Sequence, residues 1–411
     1  MTTAAIAAPA SAPATAHRLI TGPLLRVFFV DFAGLSSFYL LLSSVPLYTA
    51  SAGAGELGAG VATAALMAAT VAAEFAVPRM VARFGHRTVL AAGLVLLGMP
   101  ALALIASASM LLITLVNLLR GVGLAIIFVV CGELAASLVP AERRGEGLGI
   151  LAVVSGLPAV IAMPLSVWLA QTAGFPTVFA TGGLIALIAL TVLPGLPSRP
   201  TPHDRQADAQ PALGVLATMR MPGVMRPAIV FTATAMTTGV IAAFLPAAVP
   251  NGSGNLAAVA LLLHAASATA SRWWAGRFGD RHGAATLLIP GVLLATAGTA
   301  TLIMSWSTAA VLVGAALLGT GFGAVQNASL ATMYDQVDTS SYGSVTAVWS
   351  IAYDSGLGAG AVGFGLLTSH TGYSTGFAVM AIITAAALYA IRGTHTTTPA
   401  RGPAAAQDLT V

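Results

Sequence analysis

Charge is scarce in this chain. Of its 411 residues only 7% are Asp, Glu, Lys or Arg, against about 25% in an ordinary soluble domain. So thin a supply cannot coat a water-facing surface. That argues against a soluble enzyme, a disordered chain and a nucleic-acid-binding domain. Lysine is missing altogether, and all 17 basic residues are arginines in no long cluster. The net charge of +4 therefore marks no face for nucleic acid. The single cysteine, Cys131, leaves no internal disulfide and no Cys-rich metal site, and no cofactor or metal is expected. What is abundant is apolar: 57% of residues are hydrophobic and the mean hydropathy is +0.90. The composition is that of an integral, multi-pass membrane protein.

Inside lipid every backbone polar group must be satisfied by the chain itself, so spans are helices or closed barrels. The apolar runs here are continuous rather than alternating and about 20 residues long, which selects helices. Twelve are predicted, over residues 24–48, 57–78, 88–106, 111–137, 147–170, 176–195, 224–249, 256–275, 284–305, 308–333, 344–368 and 374–392. The expected fold class is all-α with twelve transmembrane helices. Residues 1–21 are rich in Ala, Pro, Thr and Ser and read as a disordered tail. Arg18 and Arg26 lead into a full-length span with no cleavage site, so the first span is not a secretory signal.

Sixteen of the arginines fall on one side of this topology. The amino tail holds Arg18 and Arg26. The loops after spans 2 and 4 hold Arg79, Arg83 and Arg87, then Arg143 and Arg144. The loops after spans 6 and 8 hold Arg199, Arg205, Arg220 and Arg226, then Arg272, Arg277 and Arg281. The carboxyl tail holds Arg392 and Arg401. Loops on the other side, such as 171–176 and 251–255, hold none. Arg-rich loops are cytoplasmic, which puts both termini in the cytoplasm, with the chain in the inner membrane of a bacterium. Only Arg120 is then left away from the cytoplasmic side.

The longest polar segment separates six spans from six and carries Pro197, Pro200, Pro202 and Pro211. The expected organisation is a cytoplasmic tail (1–21), a six-helix bundle (22–195), a flexible linker (196–222), a second six-helix bundle (223–392) and a tail (393–411). The halves also share a short echo. Ala82-Arg83-Phe84-Gly85-His86-Arg87 follows span 2, and Gly276-Arg277-Phe278-Gly279-Asp280-Arg281 follows span 8. A repeated six-helix unit is a known transporter architecture, with the substrate near the midplane between the halves.

Gly276-Arg277-Phe278-Gly279-Asp280-Arg281-His282-Gly283 resembles the cytoplasmic motif of the major facilitator superfamily: a Gly, three residues, Asp-Arg, one residue and Gly. Its glycines allow a tight turn, its Asp can cap a helix and its Arg can pair with a carboxylate. The first-half copy is eroded. If Gly85 takes the last glycine position, Ala82 stands opposite Asp280; if the hexamers are matched, His86 does. Asn117 to Gly123, with Arg120-Gly121-Val122-Gly123, resembles the family's intramembrane Arg followed by Gly-x-Gly, and Arg143-Arg144-Gly145 its loop after span 4. Span 5 departs from the proton-driven drug exporters: Gly156-Leu157-Pro158 and Met163-Pro164 lack their paired glycines. The resemblance implies a cytoplasmic latch built from Gly276, Asp280, Arg281 and Gly283, with Arg83, Gly85, Arg87, Glu133 and Arg143 in the first half. It also implies a cavity lined by spans 1, 4, 7 and 10.

Ionisable groups within or near spans are the candidates for proton coupling: Asp31, Arg120, Asp354 and His264. Intramembrane charge is costly and functional by default, so Arg120 is expected to tune a carboxylate or contact substrate; the alternative is a structural pair that fixes span 4. Asp31 is the first candidate for the coupling carboxylate and Asp354 the second; the alternative for each is a helix-packing role, and for His264 that of a satisfied polar group. Glu133 and Glu74 read as partners of loop arginines, Arg83 or Arg143 for the first. The glycines after Asp354 in span 11 fit closely packed helices; with span 5 they mark a seam along which the halves rock, or plain tight packing. The cavity helices supply Phe28, Phe32, Ser36, Tyr39, Asn117, Phe231, Thr234, Met236, Phe322, Gln326 and Asn327. An amide facing lipid leaves its donors unpaired, so Gln326 or Asn327 should face the cavity.

This mixture suits a small amphipathic organic molecule. The expectation is a monomeric secondary transporter, closest in type to twelve-span drug or metabolite efflux permeases, exporting such a compound in exchange for protons. Uptake of a polar, sugar-like solute is the alternative. A membrane-embedded enzyme or receptor is remote, because no nucleophile–base set, metal cluster or large soluble domain is present.

Overall fold

The computed structural model describes residues 21–139, 144–196, 214–250, 255–338 and 341–391. The expected tails, most of the expected linker and Arg143 lie outside the described residues. Twelve helices of fourteen residues or more follow one another among them, with no strand: α1 Gly22–Thr49, α2 Gly55–Glu74, α3 His86–Ala103, α4 Met110–Leu138, α5 Arg144–Thr172, α6 Phe175–Ile188, α7 Pro222–Ala248, α8 Leu256–His282, α9 Leu288–Thr301, α10 Thr308–Tyr334, α11 Tyr342–Thr371 and α12 Tyr373–Ala386. Local chemistry sets their starts. The Thr21 and Ser109 hydroxyls accept the free N–H groups of Leu24 and Leu112 at 3.4 and 3.3 Å, the N-cap pattern.

Two expectations about helix limits are corrected. Span 2 is not one helix to residue 78: α2 stops at Glu74, and a separate short helix, Val77–Phe84, carries Arg79 and Arg83. Span 8 does not stop at residue 275: α8 runs on to His282. Arg272 is therefore not a loop residue but lies ten residues, about 15 Å, inside a helix. Arg120 is not the only arginine away from the loops.

Nine stretches among the described residues are long and apolar enough to cross a membrane. Helices α1 and α2 merge into one of them, Gly22–Glu74, across a single π-helical turn at Ala50–Ala54. Helices α8 and α11 are not among the nine; they hold Arg272 and Asp354, and both pack against the opposite half of the chain.

The packing of α1–α6 is repeated by α7–α12. Helix α4 packs on α1, α2 and α3, and α10 on α7, α8 and α9; α1 packs on α5 and α6, and α7 on α11 and α12. The turns repeat as well. Gly85 and Gly174 end their helices with φ of 79° and 82°, and Gly283 and Gly372, each 198 residues later, do so with 86° and 80°. Only glycine adopts this region cheaply. Of the two registers open in the sequence, this spacing selects the one that puts Ala82 opposite Asp280.

The two sets of helices meet along two seams, α2 on α11 and α5 on α8, with α1 against α7 between them. At one end the core is continuous across them: Leu35, Phe38 and Leu66 belong to the same buried cluster as Ile241, Leu357 and Phe364. At the other end it is split. One cluster holds only residues of α1, α3, α4 and their neighbours, such as Val27, Leu90 and Val130. The other holds only residues after 214, such as Phe231, Leu288 and Val345.

Candidate functional site

The polar side chains converge where the joined core gives way to the split one. Tyr39 of α1 and Tyr353 of α11 bring their hydroxyls close together across the two sets of helices, each within electrostatic reach of the other. Arg272 of α8 lies within electrostatic reach of both, and its Nη1 donates to Gln326 Oε1 of α10 at 3.4 Å. It also fills the space that a side chain on α5 would take: a Cβ on Gly156 would lie 2.5 Å from Arg272 Nη2. Tyr39 is also within electrostatic reach of Asp354 and Asp31. Asp354 is buried, and Glu74 of α2 is its charged neighbour. Asp354 also lines a cavity of about 400 Å³ between α2 and α11, with Met67, Val71 and Ser355.

One wall is aromatic. Phe231 of α7 stacks on Trp349 at 4.7 Å and 14° and on Tyr353 at 5.7 Å and 13°. Phe322 of α10 lies 6.0 Å from Phe231 at 20°. Near-parallel rings at these spacings are favourable contacts. Trp349 is fixed in plane by donating Nε1–H to Ser329 Oγ at 3.1 Å. Phe231 is fully buried, so Trp349 and Tyr353, both part-exposed, form the accessible surface.

The other expected site residues are distributed around this centre. Ser155 Oγ donates to Asp31 Oδ2 at 2.6 Å, which ties α1 to α5. Phe28 and Ser36 are buried and Phe32 is part-exposed on the same helix. Asn117 turns onto its own helix, donating to Ile113 O at 3.0 Å. Thr234 does likewise, to Phe231 O. Met236 packs on the joined core, Asn327 faces Gly276 of α8, and buried His264 lies 6.2 Å from Phe322 with no partner for Nδ1.

Arg120 lies apart from the carboxylates. It is fully buried within α1, α3 and α4, where Nη2 donates to Ser37 O at 3.1 Å and Nε to Leu97 O at 3.3 Å. Its Nη1 has no hydrogen-bond partner. Backbone carbonyls, not an acid, hold it.

The expected latch residues sit at the split end. The motif glycine Gly276 is helical, and α8 ends at Gly283, whose N–H caps Gly279 O. Asp280 and Arg281 are exposed and form no ion pair with a described residue. Arg83 lies over the Phe84 ring at 5.2 Å. Glu133 pairs with His86 at 3.0 Å and with no arginine among the described residues; His86 opens α3 directly after the Gly85 turn. Arg26 Nη1 and Arg87 Nε donate to the carbonyls of Gly195 and Leu196. They satisfy the carboxyl end of the turn that follows α6, where cations are favoured.

Arg272, Trp349, Tyr353 and Ser155 are central here and were not singled out from the sequence. The available signal was the position of Arg272 four residues before the Gly276 motif, on a helix that had to reach Gly283.

Comparison with known proteins agrees with this architecture. A variant of the nucleoside transporter NupG has a crystal structure that superimposes with a TM-score of 0.71 at 12% identity, over 91% of this chain and all of that one. At that identity the likeness concerns the fold. The sequence pattern of the Major Facilitator Superfamily matches residues 27–361 and 227–409. The chain belongs to the Major Facilitator Superfamily of membrane transporters.

Proposed function

We propose that this protein is a proton-coupled secondary transporter that exports a small amphipathic organic compound by alternating access. The supporting observation is the place of the Tyr39–Tyr353 contact. It lies with Arg272, Gln326 and Asp354 at the boundary between a core that joins both sets of helices and cores that do not. A solute reaching this point from the split end meets the aromatic face of Trp349 and Tyr353 beside a guanidinium and carboxylates. Closing the split end and opening the joined one would release it on the other side.

In this reading all twelve helices cross the membrane, residues 22–195 and 223–392 are the two rocking units, and the split end, with both termini, faces the cytoplasm of a bacterium. The protein works as a monomer. Asp354 with Glu74 is the better-placed acid pair for proton coupling, because it lies on the seam that must change. Asp31, held by Ser155, is the second candidate. Uptake of a polar solute is the competing reading, since flat aromatic rings with flanking hydrogen-bonding groups also suit such solutes.

The test uses purified protein in sealed vesicles under an imposed pH gradient. Wild type should move a lipophilic fluorescent compound against its concentration gradient, and Asp354→Asn should lose gradient-driven movement while keeping exchange of labelled for unlabelled compound. Gradient-driven movement of nucleosides or sugars, with none of the lipophilic compound, would replace export by uptake. Normal driven transport in Asp354→Asn would move the coupling role to Asp31.

A further inference from the structure

A second groove lies away from this site. A cavity of about 630 Å³ opens on the outer side of α8–α10, within the size range of specific small-molecule sites, about 300–1,000 Å³. Trp274 and Phe278 of α8 form one wall, Leu287, Pro290 and Leu294 the other, and Ala324 of α10 lies at its floor. Trp274 is 50% exposed. The exposed apolar side chains Trp273, Ile289 and Leu293, next in sequence to lining residues, are 60%, 41% and 51% exposed.

The groove has a length and a polar end. On α8 its lining runs from Ser267 to Phe278, about 17 Å of helix. One leaflet of a bilayer is about 15 Å deep, half of the roughly 30 Å hydrocarbon core. Along this face the rings of Trp274, Phe278 and His282 stack in sequence, at 5.0 and 4.3 Å. Arg281 follows Trp274 by seven residues, which brings it back to the same face within about 20°. Asp280, the nearby acid, falls about 120° away. Arg277 is on the neighbouring flank, its guanidinium over the Trp273 ring at 3.8 Å. The exposed Arg281 makes no ion pair with a described residue. An apolar channel one leaflet long thus ends at exposed guanidinium groups, with the acid turned away.

We propose that this groove is a specific site for a membrane phospholipid with an anionic headgroup, its acyl chain lying between α8 and α9 and its phosphate at Arg281. The site is separate from the Tyr39–Tyr353 centre and does not depend on what the protein transports.

Trp274 itself is the reporter. Trp168, Trp273, Trp306 and Trp349 are replaced by Phe, leaving one tryptophan, and the protein is reconstituted in phosphatidylcholine vesicles. Brominated phosphatidylglycerol at a tenth of the lipid should quench Trp274 at least about twofold more than brominated phosphatidylcholine at the same fraction. Arg281→Ala should remove that excess, and Ala270→Phe, which narrows the groove, should reduce quenching by both lipids. Equal quenching by the two lipids would make the groove part of the ordinary lipid annulus and overturn the proposal. Excess quenching that survives Arg281→Ala would overturn the headgroup assignment. Displacement of the brominated lipid by a transported lipophilic compound would show a substrate path instead.

Discussion

The two seams between the halves follow one plan and carry ionisable side chains of opposite kind. The 198-residue repeat that relates Gly85 to Gly283 and Gly174 to Gly372 also relates Glu74 to Arg272 and Gly156 to Asp354. On the α5–α8 seam a glycine makes room for an arginine. On the α2–α11 seam the equivalent positions hold two acids in electrostatic contact. Tyr39 lies within reach of both Arg272 and Asp354. The two walls differ in the same way. The aromatic set Phe231, Phe322, Trp349 and Tyr353 has Ala33, Leu124, Leu151 and Ser155 as its counterparts. A repeated fold therefore supplies two equivalent surfaces, and the side chains make one basic and the other acidic, one wall aromatic and the other aliphatic. Such a cavity can orient an amphipathic solute, which a symmetric one cannot.

The comparison can be broken first at Arg272. Arg272→Ala should slow counterflow about 100-fold, roughly 2.7 kcal/mol, whereas Glu74→Gln should slow it about tenfold at most. Equal losses would mean that the seams act alike and that the opposite kind of their side chains is incidental. Gly156→Leu should approach the Arg272→Ala defect by displacing the guanidinium. Combining the two should then add little, since residues sharing one contact are non-additive; a fully additive double variant would separate Gly156 from Arg272.

The aromatic wall can be tested against its aliphatic counterpart. Trp349→Ala should raise KM about tenfold, and Leu151→Ala less than about twofold, in the same initial-rate assay. A reversed order would put the solute on the α1–α6 side. At the joined end, a Cβ on Gly365 would meet the backbone carbonyl of Glu56, while one on Gly363 meets nothing. Gly365→Ala should therefore cost about 1–3 kcal/mol by overpacking, seen as a lowered Tm in detergent, with Gly363→Ala unchanged. The smallest effect is expected at the split end. Arg26→Ala removes one bond to Gly195 O and should cost about 0.3–1 kcal/mol; a larger fall in Tm would make that clamp a main support of the first half.

Much of the helical framework was legible because it follows from local apolar length. Its errors cluster where polar residues lie inside helices. Arg272 lies near the end of an apolar run that hydropathy closed at residue 275, and its charge alone counted it with the loop that follows, although the helix runs on to His282. The Glu74-Phe75-Ala76 break was invisible for the opposite reason: the apolar run continues across it through Phe75, Ala76 and Val77 into the short helix beyond. Arg120 shows a different limit. Its sequence context marks it as an intramembrane charge, but only packing reveals that Ser37 O and Leu97 O take its donors.

By itself the sequence determined that this chain enters a membrane as helices, because 57% hydrophobic residues in continuous runs admit no other way to satisfy the backbone. It also determined where the tight glycine turns fall, since a positive φ selects for the missing Cβ. The tertiary structure alone decided which polar side chains meet. Tyr39 is more than 200 residues from Arg272 and Tyr353 in the chain, and their contact depends on how whole helices approach across the seams. Long-range packing sets that approach; no local pattern encodes it.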